Sequence, residues 1–236
     1  MSFEKYKRIS SEIKGSGLRN FFLLKISEQF YILKFKKLGV VYSSYRGYLP
    51  TVNNKSLHKD SRYNDSTAFY IIKKGFEVTG IKYPHIRLLD IGCGYGKILN
   101  FGILKNFNQV IGIDLDDDAI KKAIDNCTQL HNKGFKTLFR VHHADACEFM
   151  IPARTNVIFL ANPFGKKTME VVLGNIIQYN KSNNIELFII YAVPVHRDIF
   201  AKYEGCKKIY ESFNASKINP EFIVFKIFNP DSIKNN

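Results

Sequence analysis

The chain has little cysteine, and its cysteines form no recognisable site. The four of them, at positions 93, 127, 147 and 206 of 236 residues, lie far apart and include no C-x-x-C pair. Zinc clusters and disulfide frameworks need closely patterned cysteines, so neither is predicted. No His/Asp/Glu cluster has metal-ligand spacing either, and no metal is expected. The pattern favours a reducing, cytoplasmic environment.

Long apolar runs are also missing. No uninterrupted apolar stretch reaches the roughly 18 residues that a membrane-spanning helix needs. The first residues lack the basic start, apolar run and cleavage site of a signal peptide. These absences predict an intracellular protein. A hydrophobic content of 45% in 236 residues predicts one sizeable core, with a short extension rather than a second domain.

Acidic residues are scarce at the N-terminal end. Residues 1–59 contain twelve Lys/Arg and three acids, which gives a net charge of +9 out of +14 for the whole chain. A basic surface of this kind attracts an anionic membrane, an acidic polymer or nucleic acid. Charge alone does not choose among these partners, and a lysine-rich solvated surface is equally compatible with it. We assign residues 1–59 to a basic helical extension and residues 60–236 to the main domain.

Within that extension, residues 18–38 predict an amphipathic helix. Apolar residues recur there at three- and four-residue steps, as at Phe22, Ile26, Phe30 and Leu33. Two uses of this face stay open: lying on a membrane surface, which would make the protein peripheral to the membrane, or docking on its own domain. After a polar loop at 50–65, a second helix should begin with an N-cap at residue 65 or 66 and end near residue 76.

From residue 87 onward, apolar strands alternate with helical stretches. Strands are predicted at 87–92, 109–115, 137–145, 156–163 and 186–194, and helices near 96–106, 117–132, 166–180 and 196–204. This alternation predicts an α/β fold with a mainly parallel, doubly wound sheet. The last two apolar runs, 207–213 and 221–228, are too close together for a helix between them. They should pair as an antiparallel hairpin.

Polar residues and glycines follow four consecutive predicted strands. The first strand ends in DIGCGYG, residues 90–96, whose G-x-G-x-G spacing differs from the G-x-G-x-x-G of dinucleotide sites. Asp114 ends the second strand, Asp145 the third, and the fourth leads into NPFG at 162–165. The carboxyl ends of parallel strands meet at one edge of a sheet, so these groups should lie together. An acid there can accept hydrogen bonds from a ribose diol or an adenine amine, which predicts a nucleoside-containing cofactor.

These motifs resemble those of the class I S-adenosylmethionine-dependent methyltransferases over most of residues 60–228. LLDIGCGYG is similar to the family's first motif, VIGIDLD to its second, ADACEF to its adenine-contacting loop and IFLANPF to the motif beside the transferred methyl group. The resemblance implies a Rossmann-like, seven-stranded sheet whose last strand is antiparallel. It also implies S-adenosyl-L-methionine as the cofactor.

The resemblance further implies a role for each cofactor residue. Residues from Asp90 to Gly96, with the glycines at 92, 94 and 96, would hold the methionine part. Asp114 would bind the ribose, and Asp145 with the backbone of Ala146 the adenine. The segment SRYNDSTAF, residues 61–69, is similar to a lid that closes over the cofactor, so Tyr63 and Thr67 are candidate contacts. A plain loop before a helix is the competing interpretation of that segment.

The acceptor side is less defined by the sequence. Amino-directed methyltransferases carry Asn or Asp, two prolines and an aromatic, whereas NPFG has one proline, so Phe164 comes two positions after Asn162 rather than three. Asn162 can still accept a hydrogen bond from an acceptor, but the register for stacking on a nucleobase is lost. His196, just beyond the fifth strand, is a candidate base for a hydroxyl acceptor.

We therefore expect a methyltransferase acting on a non-nucleobase acceptor, which would be a glycan, a small molecule or a protein side chain. Its candidate catalytic residues are Asn162, Phe164 and His196. A nucleic-acid N-methyltransferase, favoured by the charge, is the first alternative. A noncatalytic protein that keeps the fold and binds the cofactor as a scaffold is the second.

Overall fold

The computed structural model describes residues 18–41, 67–213 and 220–229, with side chains in the first range from residue 24 onward. Five α-helices are formed in these ranges: α1 Leu18–Lys37, α2 Phe69–Val78, α3 Lys97–Leu104, α4 Asp117–Asn132 and α5 Lys166–Asn183. The strands are β1 Arg87–Ile91, β2 Gln109–Asp114, β3 Leu138–His143, β4 Val157–Ala161, β5 Leu187–Ala192, β6 Cys206–Phe213 and β7 Pro220–Ile227. The boundary predicted after residue 59 lies outside the described residues.

All seven strands form one sheet, in the order β3-β2-β1-β4-β5-β7-β6. Strands β1 to β5 are parallel to one another, and β7 is antiparallel to both β5 and β6. The prediction of a mainly parallel, doubly wound sheet with an antiparallel last strand is confirmed. The predicted hairpin also forms, and its second strand is inserted between β5 and its first strand.

Buried side chains fill both faces of the sheet. One cluster joins the sheet to α1 through α4 and includes Phe35, Phe76 and Phe101, and the other joins it to α5 and includes Met169 and Phe200. The interior strands are almost wholly buried, which explains why they read as continuous apolar runs. β3 is an edge strand, and four of its six residues are exposed.

Two predicted helices differ from the structure. Residues 196–204 form only a six-residue 3₁₀ helix, Arg197–Lys202, in which the consecutive residues Ile199 and Phe200 are both buried. Phe200 stacks on Phe225 of β7, with ring centroids 4.1 Å apart. Only three residues separate Lys202 from the strand that begins at Cys206, and 3₁₀ turns are common in short connectors of this kind.

The other difference is the start of α2. Its N-cap is Ala68, which has no side-chain acceptor, and the predicted caps at 65 and 66 lie outside the described residues. The N–H of Phe69 instead donates to the carboxylate of Glu28 in α1, at 2.6 Å. A negative charge at a helix N-terminus is favourable. The carboxylate of Glu28 in α1 therefore provides the hydrogen-bond acceptor that the side chain of Ala68 lacks.

α1 docks on the domain, but not through the face that the sequence indicated. Tyr31 and Phe35 are buried against Phe69, with ring centroids 4.9 and 5.4 Å from it. Ile26 and Phe30, which belong to the predicted stripe, are 65% and 57% exposed. The helix is thus apolar on two sides, and of the two uses left open for the stripe, docking on the domain is not made through Ile26 and Phe30.

Two helical glycines offer a matched test of core packing. A Cβ on Gly102 in α3 would lie 2.6 Å from a methyl carbon of Val110 and 2.8 Å from the ring of Phe107, whereas a Cβ on Gly174 in α5 would meet nothing within 4 Å. We expect Gly102→Ala to lower the free energy of unfolding by about 1 to 3 kcal/mol through overpacking. Gly174→Ala should raise it by about 0.5 to 1 kcal/mol through helix propensity.

Urea denaturation followed by circular dichroism measures both changes. Equal effects of the two substitutions would contradict the close packing of α3 on β2.

Candidate cofactor and acceptor site

The glycine loop connects β1 to α3 at the carboxyl edge of the sheet. Gly92 and Gly96 have left-handed φ values of +78° and +76°. A Cβ on Gly92 would lie 2.9 Å from the Cβ of Pro163, and a Cβ on Gly96 would lie 3.2 Å from that of Ala123. Gly92 is therefore required both for the turn and for the close approach of the NPF segment.

The loop is fixed to the second strand by backbone hydrogen bonds. The N–H groups of Gly92 and Cys93 donate to the carbonyl oxygen of Ile113 at 2.9 and 3.0 Å. The N–H of Gly94 donates to Oδ2 of Asp114 at 2.8 Å. The structure thus brings together the glycine loop and the strand-end acid that the sequence had placed 24 positions after Asp90.

Asp114 is held in a defined orientation. Its Oδ1 accepts the N–H groups of Leu115 and Asp116, at 2.8 and 3.1 Å. Burial raises the pKa of Asp114, and the three backbone N–H groups oppose that rise. A carboxylate has about four acceptor positions, and three of them are used here, so the side chain retains capacity for a further donor.

Asp90 is buried at the end of β1, with only 2% of its surface exposed. Its Oδ2 has no hydrogen-bond partner. Burial, and secondly the charge of Asp114, raise the pKa of Asp90 well above its usual range. A buried acceptor without a donor is costly. The group is therefore a candidate to receive a donor or a positive charge from a ligand.

The segment after β3 carries the acid predicted for adenine. Oδ1 of Asp145 accepts the N–H of Cys147 at 2.8 Å, which forms a tight turn around Ala146. The N–H of Ala144 donates to the carbonyl oxygen of Asp114 at 3.0 Å, so the ends of β2 and β3 are joined. Asp145 and Ala146 are both partly buried at this edge.

The NPF segment leaves β4 in a strained conformation. Asn162 has a left-handed φ of +48° without being glycine, and its Oδ1 is buried with no hydrogen-bond partner. Strained residues with unsatisfied polar atoms concentrate at functional sites. Phe164 packs against the apolar cluster on the α5 side of the sheet, and Gly165 precedes α5 at its N-cap.

His196 lies beyond β5, at the same edge. Its Nε2 is buried without a partner, and its backbone N–H lies 3.3 Å from the hydroxyl of Tyr191. Because Ala161 and Ala192 are paired in register, Asn162 and Val193 leave the sheet at the same level. The structure thus places the three candidate catalytic residues on neighbouring strand ends.

The lid candidates are only partly described. Thr67 lies two residues before α2 and is partly buried, whereas Tyr63 lies outside the described residues. Over residues 18–41, 67–213 and 220–229, no group of three or more His, Cys, Asp or Glu could hold a metal ion.

Sequence reasoning missed Asn126, a buried residue of α4 that holds the glycine loop. Its Nδ2 donates to the carbonyl oxygens of Tyr95 and Val41 at 3.0 and 3.2 Å, and its Oδ1 accepts the N–H of Val41 at 3.0 Å. Asn126 joins the loop to the segment that follows α1. The available signal was an amide on an otherwise apolar helix face, next to Ala123 and Cys127.

Comparison with known proteins identifies the fold. No protein-family model matches the chain, and no curated protein matches it by sequence. An Escherichia coli protein described as "Putative methyltransferase yhhF" is 16% identical and superposes with a TM-score of 0.55, over 70% of this chain and 89% of that one. A Clostridium thermocellum protein described as "putative rRNA-methylase" is 12% identical and gives a TM-score of 0.51, over 70% and 98% of the two chains. The chain has the seven-stranded, Rossmann-like fold of the class I S-adenosylmethionine-dependent methyltransferases.

Proposed function

We propose that this chain binds S-adenosyl-L-methionine and transfers its methyl group to a non-nucleobase acceptor. One observation carries the proposal. In a class I methyltransferase fold, the glycine loop, the ribose-type acid Asp114 and the strained NPF segment meet at the point where the strand order reverses, between β1 and β4. Ligands of open α/β sheets bind at such a point.

The buried polar atoms fit this cofactor. The buried Oδ2 of Asp90 has no hydrogen-bond partner. It could accept a hydrogen bond from the ammonium group of a cationic ligand. The glycines at 92, 94 and 96 let the backbone approach the methionine part closely. Asp114 would accept from the ribose hydroxyls, and Asp145 with the N–H of Ala146 would hold the adenine. Tyr63 and Thr67 are proposed as further cofactor contacts.

When bound, the cofactor supplies an activated methyl group on a sulfonium. The protein's work is then to align the acceptor and to exclude water. Asn162 offers its buried, unpaired Oδ1 to a donor on the acceptor. His196 can take a proton from a hydroxyl acceptor through Nε2. An amine acceptor needs only a free lone pair.

The position of Phe164 supports a non-nucleobase acceptor. Its ring packs against the apolar cluster around α5, and the next residue is glycine, so no aromatic stands three positions after Asn162. Enzymes that act on a flipped base rely on side chains that stack on it. A glycan, a small molecule or a protein side chain fits this arrangement better.

We further propose that the protein works in the cytoplasm. Cys93 and Cys127 are buried and unpaired, and Cys147 and Cys206 are also free thiols. Unpaired thiols are typical of a reducing compartment. Among the residues that the structure describes, no helix has both the length and the apolar character to cross a membrane.

Removing the ribose acceptor should weaken cofactor binding. Asp114→Ala deletes the carboxylate that meets both the ribose and the glycine loop, so we expect the dissociation constant for S-adenosylmethionine to rise by about 10- to 100-fold. Isothermal titration calorimetry measures it. Asp125→Ala, on the exposed side of α4, is the control with the same change of charge and should bind normally. An unchanged affinity in Asp114→Ala would refute the assignment of β2.

Cofactor affinity should depend on pH. Burial raises the pKa values of Asp90 and Asp114, and a bound cation stabilises the ionised form of these carboxyls. Affinity should therefore fall as pH is lowered, and proton release should accompany binding over the range in which these carboxyls titrate. Titrations in buffers of different ionisation enthalpy count those protons.

S-adenosylhomocysteine, whose sulfur is neutral, is the control ligand. Its affinity should depend less on pH than that of S-adenosylmethionine. Proton uptake on binding S-adenosylmethionine would contradict the role of these acids.

The acceptor class is tested by following the methyl group. The protein is incubated with cofactor labelled in the methyl group and with separate cell fractions of glycan, protein, small molecules and RNA. We expect label in one of the first three fractions. Label mainly in RNA would overturn the proposal in favour of a nucleic-acid enzyme, and cofactor binding without any transfer would indicate a scaffold.

Asn162→Gly is the variant that controls this experiment. Glycine tolerates the left-handed backbone but lacks the amide, so transfer should fall by about 100-fold while cofactor affinity is kept. Asn162→Asp retains an acceptor oxygen at the same place and should lose less activity. Full activity of Asn162→Gly would show that this amide does not position the acceptor.

A further inference from the structure

α1 presents to solvent an apolar strip that lies outside its docking contacts with the described part of the domain. Ile26, Phe30 and Leu33 follow one another at steps of four and three residues, and they are 65%, 57% and 56% exposed. Successive steps of this kind place side chains on one face of a helix. The docking residues Tyr31 and Phe35 lie on the opposite face, where they are buried. We call the exposed strip, with its neighbouring lysines, the outer face of α1.

Positive charge borders this strip on both sides. At about 100° per residue, Lys36 lies on one side of the strip, Lys34 on the other, and Lys37 within it at its C-terminal end. All three are exposed, and Lys34 lies 5.8 Å from the ring centroid of Phe30. Apolar residues bordered by lysines on each side are the arrangement of a helix that lies in a membrane interface.

The one acid of residues 18–41 is turned away from the outer face. Glu28 accepts the N–H of Phe69 at 2.6 Å and pairs with Lys97 at 3.4 Å, on the docked side. Burial lowers the pKa of Lys97, and the charge of Glu28 opposes that change. Because the docking contact uses this acid, the outer face carries positive charge alone.

We infer that the outer face of α1 binds an anionic lipid surface. The lysines complement the headgroup charge, and Ile26, Phe30 and Leu33 enter the boundary between headgroups and acyl chains. A second copy of the chain fits less well, because two such faces would bring lysines against lysines. Nucleic acid also fits less well, since it would satisfy the lysines but leave the aliphatic side chains in water.

The inferred surface is connected to the glycine loop. Val41, which follows α1 and is 52% exposed, exchanges two hydrogen bonds with Asn126, and Asn126 also binds the carbonyl oxygen of Tyr95. Hydrogen bonds therefore connect the segment that follows α1 to the candidate cofactor site. The inference does not depend on the proposed reaction, because lipid binding is measured without turnover.

Vesicle flotation of the full-length protein tests the inference. The probes are phosphatidylcholine vesicles and phosphatidylcholine vesicles that contain about 30% phosphatidylglycerol. We expect binding to the anionic vesicles, weaker binding at about 0.5 M salt, and little binding to the neutral ones. Equal recovery with both vesicle types, or none with either, would overturn the inference.

Two variants separate the apolar and the charged contribution. Ile26→Ser/Phe30→Ser/Leu33→Ser should reduce the partition coefficient by at least about tenfold. Its matched control, Ile124→Ser/Leu138→Ser/Val171→Ser, replaces three exposed apolar residues elsewhere and should bind normally. Lys34→Glu/Lys37→Glu should lose about tenfold or more. Lys121→Glu/Lys133→Glu, on α4 and at its C-cap, changes the net charge equally and should lose much less.

Unfolding of the variants is excluded by their thermal melting curves and by cofactor titration, which should match those of the unaltered chain. Light scattering gives the mass in solution. A dimer that dissociates in the apolar variant, without lipid binding by the unaltered protein, would show that the outer face binds a second copy. Tighter binding to RNA than to anionic vesicles, lost in the lysine variant, would likewise overturn the inference.

Discussion

The parallel register of β1 through β5 is the constraint on which the site depends. Since every strand runs in the same direction, each brings its last residue to one edge of the sheet, and the side chains that follow must share that edge. The order of the strands reverses between β1 and β4, which opens a crevice there. Gly92 and Pro163 lie on opposite sides of the reversal, and a Cβ on residue 92 would lie 2.9 Å from the Cβ of Pro163. A residue with a Cβ at position 92 would force the two segments apart.

Backbone hydrogen bonds then fix the polar groups within that crevice. Asp114 receives three N–H donors and keeps the glycine loop against β2. Asp90 and Asn162, in contrast, each keep a buried oxygen without a donor. Such oxygens are costly in a folded protein unless something else satisfies them. In the proposed function, Asp114 therefore organises this edge of the sheet, and the unpaired oxygens of Asp90 and Asn162 are the groups proposed to meet a ligand.

The helix α1 is connected to the same edge of the sheet. Glu28 completes the start of α2, and Asn126 holds the segment after α1 against the glycine loop. α1 therefore supports the site from one side while it offers lysines and apolar residues to solvent on the other. In a helix with apolar residues on two opposite faces, the hydrophobicity of the sequence shows only a weak helical periodicity, because the contributions of the two faces partly cancel. That explains why the regular stripe in the sequence pointed to the face that does not dock.

The sequence by itself determined the order of the elements, the parallel sheet, the hairpin at its end and the set of residues that meet at its carboxyl edge. These follow from local periodicity, from glycine and from the geometry of parallel strands, all of which depend on neighbours in the chain. Only the tertiary structure decided which face of α1 docks, that Glu28 caps α2, that Asn126 binds the glycine loop and that β7 lies between β5 and β6. Each of these joins residues far apart in sequence, for example 41 positions between Glu28 and Phe69 and 85 between Val41 and Asn126. Such pairings are selected by burial and by the satisfaction of buried polar groups in the complete fold, and no local pattern encodes them.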